Sequence, residues 1–558
     1  MLTVPGANVS ELVVLRDWIT NGVKLELDTT PAAEDYDNTS TVIQHADTVR
    51  ARLQEYIAFG AVVSLPDSLP QPFGIQPLHV IIKPGKKARL VIDLSRNLND
   101  HLRYEHFSYS NVIEAAEASW QGCWYGKLDL SNCFLSFPLH VSAHPHFIFR
   151  FEEQLYGFVN MPFGLASAPR ICTLLLSVVA HALTRRHLLP FVRFLDDFLF
   201  ISNTETRMCS MLMLSEQTFH AFGLVVNVEK TEGPAQQLVF LGIQFDSVAQ
   251  TISCTSQRVQ ELQSLLRDAS RSRNIRLSVL NTLIGKLSFA ATVLPGARPF
   301  MRRMLDLRNQ HITRRRSSVT VTEPINSNCN SYRHARFSES HRHVHLDSGF
   351  KADSQQWLRH LHFWNGSEQW RSARSAPICF ASDASLEGFG FYIESTPADV
   401  DTTSWPPHLR VGAGFSGKYA TQHRGLHDRS GLMTWCELFA VYAAMSTYAP
   451  WLRHRSVRLY VDNSTDVAII NRQATRSAQL AGLLRELYGL AASNNIQMDA
   501  CHRSGVNNVL ADFLSRPQLH KHNHIHEWQR AHPTLSASLR CVSVVSSQQF
   551  VNELVKPQ

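Results

Sequence analysis

Two kinds of apolar pattern alternate along the chain: short unbroken runs that predict buried strands, and three-to-four repeats that predict helices. Phe191-Val-Arg-Phe-Leu-Asp-Asp-Phe-Leu-Phe-Ile201 sets two adjacent acids, Asp196 and Asp197, between apolar runs. It predicts a β-hairpin with the acid pair presented at its turn. Tyr125 to Leu139 predicts another buried strand, carrying Asp129 and, five positions on, Phe134. Upstream, His79 to Leu94 reads as two apolar strands joined by a basic turn with Lys83, Lys86, Lys87 and Arg89. Val42, Val49, Leu53, Ile57 and Phe59 recur at helical spacing with Gly60 as a stop signal, so the globular part is expected to begin near Thr41. Residues 256 to 293 predict two amphipathic helices, with Val259, Leu262, Leu265 and Leu266 on one and Leu280, Leu283, Ile284 and Leu287 on the other. Residues 1 to about 40, ending in the acidic, turn-rich stretch Pro31 to Ser40, predict a loosely attached arm. Residues 317 to about 350 are rich in Ser, Asn, His and Arg without periodicity and predict a linker.

The acids decide the chemistry. Burying Asp196 and Asp197 without a counter-charge would cost several kcal/mol. An exposed Asp-Asp turn is the plain alternative for the pair alone. Asp129 on a separate strand favours metal, because two-metal phosphoryl transfer needs carboxylates from different elements to hold ions about 4 Å apart. Mg2+ is the expected ion, being a hard cation that prefers carboxylate oxygens and keeps positions open for phosphate. Between the acids, Met161-Pro-Phe-Gly-Leu-Ala-Ser-Ala-Pro169 offers small residues that let a base and a nucleotide approach the backbone.

Four blocks in order, the Asp129 strand, Phe163-Gly164-Leu-Ala-Ser-Ala-Pro169, the Phe-Leu-Asp-Asp hairpin and Phe240-Leu-Gly242, resemble the palm of a reverse transcriptase. The resemblance implies an α+β and α/β multidomain fold, a right-hand polymerase with fingers, palm and thumb. It makes Lys83 and Arg89 candidates for triphosphate contacts, against the alternative of a solvated basic face. Arg96, Asn97 and Asn99 take the place of the family's polar turn, their separate roles unassigned. Phe134 matches the family's steric gate, where an aromatic under the sugar leaves no room for a 2′-hydroxyl; a packed core aromatic is the alternative. Phe163 and Gly164 fall in the substrate-binding segment. The stretch Gly223 to Thr231 reads as a strand ending in Lys230, a candidate proton donor to pyrophosphate or else a surface lysine. Leu283 to Ala290 followed by Pro295 to Arg303 resembles the thumb of DIRS-type retroelements. From Arg298 to Arg316 there are seven arginines against the single acid Asp306, a phosphate-tracking surface or a solvated face.

Ile378 to Ile393 reads as a strand, the acid Asp383, a Gly-containing turn and a second strand. Trp435 to Ala444 predicts a helix with Glu437, Leu459 to Asp462 a strand ending in an acid, and Asn507 to Asp512 the start of a last helix. Four carboxylates on strand, helix, strand and helix suit two divalent ions hydrolysing a phosphodiester, and their order resembles ribonuclease H. His502 then takes the place of the family's mobile histidine, with an exposed loop histidine as the alternative. An insertion between Glu394 and Thr434, containing Trp405-Pro-Pro407, departs from the simplest family pattern and obscures the third strand. His341, His343 and His345 lack the cysteines or spacing of a metal cluster, and Asp347-Ser-Gly349 lacks the apolar strands that would bury a protease acid. The tail, with His520, His522, His524 and His526, is too short for another enzyme domain.

With 558 residues and 44% hydrophobic content, the chain can bury several cores, for roughly three or four domains. Lys plus Arg exceed Asp plus Glu by 54 − 47 = 7, a mild basic excess suited to a polyanionic partner. Ten cysteines without a Cys-x-x-Cys pair argue against a zinc ribbon or disulfide framework and for a reducing compartment. The longest apolar run, Ile171 to Ala180, is too short for a bilayer, and Glu11, Arg16 and Asp17 interrupt any signal-peptide core. The expected division is an arm at 1–40, fingers and palm at 41–248, a thumb-like region at 249–316, a linker at 317–375, a ribonuclease H-like domain at 376–517 and a tail at 518–558. The expectation is an intracellular retroelement enzyme resembling the DIRS and Ngaro group. It would use Mg2+ or Mn2+, two ions per site, on an RNA template, a DNA primer or RNA–DNA hybrid, and deoxynucleoside triphosphates, without a membrane. A decayed or domesticated copy that binds nucleic acid without catalysis is the alternative, disfavoured because every expected carboxylate is present.

Overall fold

The computed structural model of the chain describes residues 9–66, 74–83, 85–103, 105, 107, 111–187, 189–294, 296–316, 342–363, 365, 368–369, 377–411, 413–419, 429–516, 530–531 and 541–546. His341, the four tail histidines and residues 420–428 of the insertion lie outside them. The chain divides into two compact units: Met1–Leu241 with Phe245–Ala249 in the first, and Gly242–Gln244, Gln250–Asn326 and His334–Gln558 in the second.

The first unit is built on an antiparallel sheet whose central strand is Trp124–Ser131. Asp197–Ser202 pairs with one edge of it, with Phe191–Phe194 outside that, and Glu232–Ala235 pairs with the other edge. Phe198, Leu199, Phe200 and Ile201 are all buried, as an unbroken apolar run requires, each contributing about 1.5–3 kcal/mol. The helices Ala168–His187 and Glu205–Ala221 cover the sheet. At Gly126 an added Cβ would sit 2.6 Å from the Met208 sulfur. The second helix starts where the Thr204 hydroxyl accepts from Arg207 N. A three-stranded sheet (Val62–Leu65, Gln154–Phe158, Ile148–Phe151) and the expected hairpin of Leu78–Lys83 with Lys86–Ile92 complete the unit. The predicted helix before Gly60 is split at His45, into Ser40–Gln44 and Ala46–Ala58.

The N-terminal segment is not loose. Helix Val9–Asn21 buries Leu15 and Trp18 in the main core, and Val23 bridges Leu139 in parallel. Asn97 donates to Ala32 O at 2.7 Å and the Arg96 guanidinium lies over Tyr36, so the acidic stretch is tied down as well.

In the second unit, the two predicted amphipathic helices are Ser256–Arg271 and Leu277–Ala290, followed by Arg302–Arg316 and Ser348–Phe363. Part of the expected linker is therefore ordered: His343–His345 pairs with Asn274–Arg276, and Asp347 caps the next helix through Phe350 N at 2.7 Å. Two of the seven arginines also serve structure rather than an open surface, since Arg302 pairs with Asp306 and Arg303 with the buried Asp353.

Six strands form a mixed sheet in the order Gln497–His502, Ser456–Val461, Ile378–Ala384, Gly388–Ser395, Ala413–Lys418, Cys541–Ser546. The first three strands are parallel, and the fourth, Gly388–Ser395, runs antiparallel to both its neighbours. Side chains alternate across it. Ile378, Phe380, Phe389 and Phe391 face the core shared with helices Arg429–Tyr448 and Ala478–Ser493, while Ala381 and Tyr392 face helix Val509–Leu514. The insertion supplies the third strand of this part, Ala413–Lys418, and places Trp405 against Tyr448. Cys541–Ser546, expected to be tail, adds to the sheet edge in parallel with Ala413–Lys418.

Candidate active sites

In the first unit, strand register carries the geometry. Asp129 and Asp197 are direct partners on adjacent antiparallel strands. Phe194 pairs with Asp197, so Leu195 and Asp196 alone form the turn, with Leu195 at φ +52°. The expectation that both acids sit at the tip therefore fails for Asp197, which opens the second strand. Leu130 N donates to Asp196 O at 3.2 Å, holding the turn over the Asp129 strand. The Asp129 and Asp197 carboxyl groups interact directly, and Asp196 acts on both through its charge. Burial, followed by the Asp129 charge, raises the Asp196 carboxyl, with Lys230 and Arg89 opposing. Burial and then the charges of Asp196 and Asp129 push Asp197 up to about 7. Negative charge concentrated in this way fits divalent cations, which the three carboxylates would hold.

Lys230 does not end a strand. Only Val225–Val226 is extended, and Lys230 closes a short 3-10 turn that brings Nζ to 2.6 Å from Asp129 Oδ2. Asn227, which the sequence reading missed, donates to the same oxygen at 3.3 Å. Phe134 likewise sits in a 3-10 turn, Cys133–Ser136, entered through Asn132 at φ +50° rather than in a strand. Its ring meets Phe163 at 5.4 Å, and the Arg89 guanidinium lies 5.4 Å from the Phe163 ring centroid. The structure so joins Arg89, Phe163 and Phe134, and Arg89 acts on Asp196 through its charge. Lys83 instead stands exposed at the hairpin tip, opposite Lys86.

Gly164 has a role beyond substrate approach. At φ +115°, its added Cβ would lie 1.9 Å from Ile92 O, and Ile92 N donates to Phe163 O at 3.0 Å. Asn99 holds the same turn from both sides, donating to Gly164 O and accepting from Ala166 N, each at 2.9 Å. Arg96 and Asn97 secure the N-terminal segment; Asn99 secures the Phe163 turn.

In the second unit, ligand oxygens of Asp383, Glu437 and Asp462 lie within 4.8 Å of one another. Their supports are a strand interior, the middle of helix Arg429–Tyr448 and the first position after strand Ser456–Val461. Ser515 Oγ donates to Asp383 Oδ2 at 2.7 Å, and Ala384 N donates to Glu437 Oε1 at 3.3 Å. Burial first, then neighbouring acids, push Asp383 up to about 7 and Glu437 to about 10. Such a cluster fits a divalent cation. Asp512 acts on Asp383 electrostatically but is ion-paired with Arg516 and stands outside the three-carboxylate group. His502 is exposed at the end of its strand, with Nε2 2.9 Å from Asp462 O. Asp466, not picked out in the sequence, is fully buried one helical turn beyond Asp462.

Residues 76–245 match the family described as reverse transcriptase (RNA-dependent DNA polymerase), which identifies a reverse transcriptase domain there. Protein P of Duck hepatitis B virus is 23% identical over 38% of this chain and 26% of its own length. A retrovirus-related Pol polyprotein from transposon 297 of Drosophila melanogaster is 23% identical over 40% of this chain and 21% of its own. The chain thus spans about a quarter of these relatives. Among solved structures, a foamy viral protease-reverse transcriptase (dRH) in complex with double-stranded DNA shares the fold, with a TM-score of 0.50 and 12% identity over 89% of this chain and 79% of that one. No helix among the described residues is long and apolar enough to cross a membrane.

Proposed function

We propose that this chain is an RNA-directed DNA polymerase with a ribonuclease H activity, encoded by a retroelement resembling the DIRS and Ngaro group. The convergence of Asp129, Asp196 and Asp197 inside the segment matched to reverse transcriptases carries the polymerase reading. The Asp383, Glu437 and Asp462 cluster, on a sheet flanked by helices, supports the nuclease reading. Bound Mg2+ at each cluster would lower the cost of forming the attacking oxygen and of releasing the leaving oxygen. Asp129, Asp196 and Asp197 would hold it in one site, and Asp383, Glu437 and Asp462, with Asp512 nearby, in the other.

The chain's own residues do the rest. Arg89, whose guanidinium lies over Phe163, contacts the triphosphate of the incoming nucleotide. Phe134, braced by Phe163, closes the space a 2′-hydroxyl needs, so deoxynucleotides are selected. Lys230 neutralises Asp129 in the free protein, and its ammonium is available to give a proton to the pyrophosphate once the site is filled. His502 receives or gives a proton as the cleaved RNA end departs. Template RNA, primer DNA and their hybrid are the partners, as double-stranded DNA is for the viral structural relative.

One preparation each of Asp196→Asn and Glu437→Gln, assayed at matched Mg2+ for primer extension and for cleavage of RNA in a hybrid, tests both halves. Both replacements keep shape and remove charge. Asp196→Asn is expected to lose extension by at least a hundredfold and keep cleavage; Glu437→Gln is expected to do the reverse. Near-normal extension by Asp196→Asn refutes the polymerase assignment, and retained hybrid cleavage by Glu437→Gln refutes the nuclease assignment.

A further inference from the structure

Helix Val509–Leu514 carries Asp512 and is fastened to the strand Ile378–Ala384 at both of its caps. At the N-terminal cap, buried Asn508 donates from Nδ2 to Ser382 O at 2.9 Å. At the C-terminal cap, Ser515 is 0% exposed and donates from Oγ to Asp383 Oδ2 at 2.7 Å. The two anchors land on consecutive residues, but only the second lands on a side chain of the three-carboxylate group. The same hydroxyl lies 2.9 Å from Asp512 O, in its own helix. It has one proton to give, and a carboxylate at the shorter distance is the stronger acceptor.

A glycine leaves room for this approach. Gly390 is the direct cross-strand partner of Asp383, and a Cβ added there would lie 2.5 Å from both Ser515 N and Leu514 C. Any side chain at 390 would push the end of the helix off the sheet, and the hydroxyl with it. The turn between the two strands adds a further hold: Ser385 Oγ donates to Ser515 O at 2.8 Å and accepts from Gly388 N at 3.0 Å. Ser515 is thus fixed through its main chain as well as by the bond of its side chain to Asp383.

Resting on the nuclease reading above, we propose that Ser515 is a positioning residue of that site, its hydroxyl setting the plane of the Asp383 carboxylate so that Asp383, Glu437 and Asp462 meet a divalent cation together. The last side-chain torsion of an aspartate is broad, and a bond to one oxygen fixes the direction of both. A donated hydrogen bond also favours the ionised carboxylate, the form a cation needs. Because the hydroxyl belongs to the C-terminal cap of the Asp512 helix, the same bond ties that helix to Asp383.

Metal binding and cleavage, measured together, test this. The full chain carrying Asp129→Asn and Asp196→Asn, which removes two polymerase acids, is titrated with Mn2+ while free ion is followed by electron paramagnetic resonance. Cleavage of RNA in a hybrid is measured on the same preparations as Mg2+ is varied. Into this background go Ser515→Ala, Asn508→Ala and Asp383→Asn. Ser515→Ala is expected to weaken one Mn2+ at least about tenfold and to raise the half-saturating Mg2+ for cleavage by a similar factor, with KM for hybrid unchanged. Asn508→Ala removes the other anchor of the helix without touching Asp383; it is expected to lower the melting temperature and leave Mn2+ affinity unchanged. Ser515→Cys, a weaker donor of similar size, carries the same readouts should the Ala variant not fold. Unchanged Mn2+ affinity and Mg2+ requirement in the Ser515 variants, with both impaired by Asp383→Asn, overturns the role of Ser515 alone. So does equal weakening of Mn2+ by Ser515→Ala and Asn508→Ala, which would make the hydroxyl one more anchor of the helix. Mn2+ binding and cleavage unaffected by Asp383→Asn overturn the nuclease reading and the role of Ser515 with it.

Discussion

Replacing Gly164 by Ala is the sharpest test of how the polymerase pocket is held. The residue sits at φ +115°, where side chains are strained, and a Cβ there would meet Ile92 O at 1.9 Å and Ile92 C at 3.0 Å. Both are main-chain atoms of a paired strand, so neither yields easily. Strained backbone costs about 1–3 kcal/mol, and forcing a methyl into a filled space about 1–3 kcal/mol more. The cheaper escape is for the turn to leave the strand, giving up the Ile92 N–H to Phe163 O bond and pulling Phe163 away from Phe134 and Arg89. Gly60→Ala is the internal control: it also has positive φ, +79°, but nothing lies within 4 Å of its added Cβ. The assays are thermal unfolding followed by calorimetry and single-nucleotide extension with varied deoxynucleotide. At about 2–4 °C per kcal/mol for a unit of this size, Gly164→Ala should melt roughly 5–10 °C below Gly60→Ala. Its KM for nucleotide should rise at least tenfold. Equal melting of the two variants would refute the close-approach argument; a lowered melting temperature with unchanged KM would refute the claim that this turn positions Phe163.

Phe134→Val should raise ribonucleotide incorporation relative to deoxynucleotide at least tenfold, read as the ratio of the two efficiencies; an unchanged ratio in an active enzyme leaves Phe134 a packing residue. Asp353 carries a pH signature of the second unit, because burial pushes its carboxyl from 3.8 to about 7 against Arg303 and Arg485, and one oxygen has no partner among the described residues. An acid whose folded pKa is raised keeps its proton in the folded state while the unfolded chain releases it, so stability falls as pH rises from about 4 to about 7 and then levels off. The fall is at most about 4 kcal/mol. Asp353→Asn should remove that slope, its melting temperature gaining on the wild type between pH 5 and 8; parallel profiles would exclude the effect.

What the sequence carried well was local. The unbroken apolar run after Asp197 marked a strand buried on both faces, and the alternating run before Asp462 marked one buried on a single face. What it carried poorly was register and long-range contact. Asp129 and Asp197 face each other across a pairing 68 residues apart in sequence, and no periodicity says which residue lies opposite which. The N-terminal segment shows the same limit: Leu15 and Trp18 have a helical period, but the acidic turns after them masked it until their partners around Leu139 were in place. Cys541-Val-Ser-Val-Val-Ser546 has no period of two, and its strand is defined only by the edge of Ala413–Lys418 beside it.

Asp466 marks the boundary between the two kinds of information. Its spacing from Asp462, four residues across a strand-to-helix junction, was available in the sequence, and that spacing returns a side chain to the neighbourhood of the first acid only if a helix begins at once. Asn463 is what makes the helix begin there, through its bond to Thr465 N. An acid in the first turn of a helix is ordinarily a solvated complement to the helix dipole, and this is how such a residue reads before its surroundings are known. The difference is made by tertiary packing: the helix that carries Glu437, some thirty residues earlier, touches this one, and both acids are buried. A surface preference thus becomes a buried acid with neither oxygen partnered among the described residues, and burial raises its carboxyl from 3.8 to about 8.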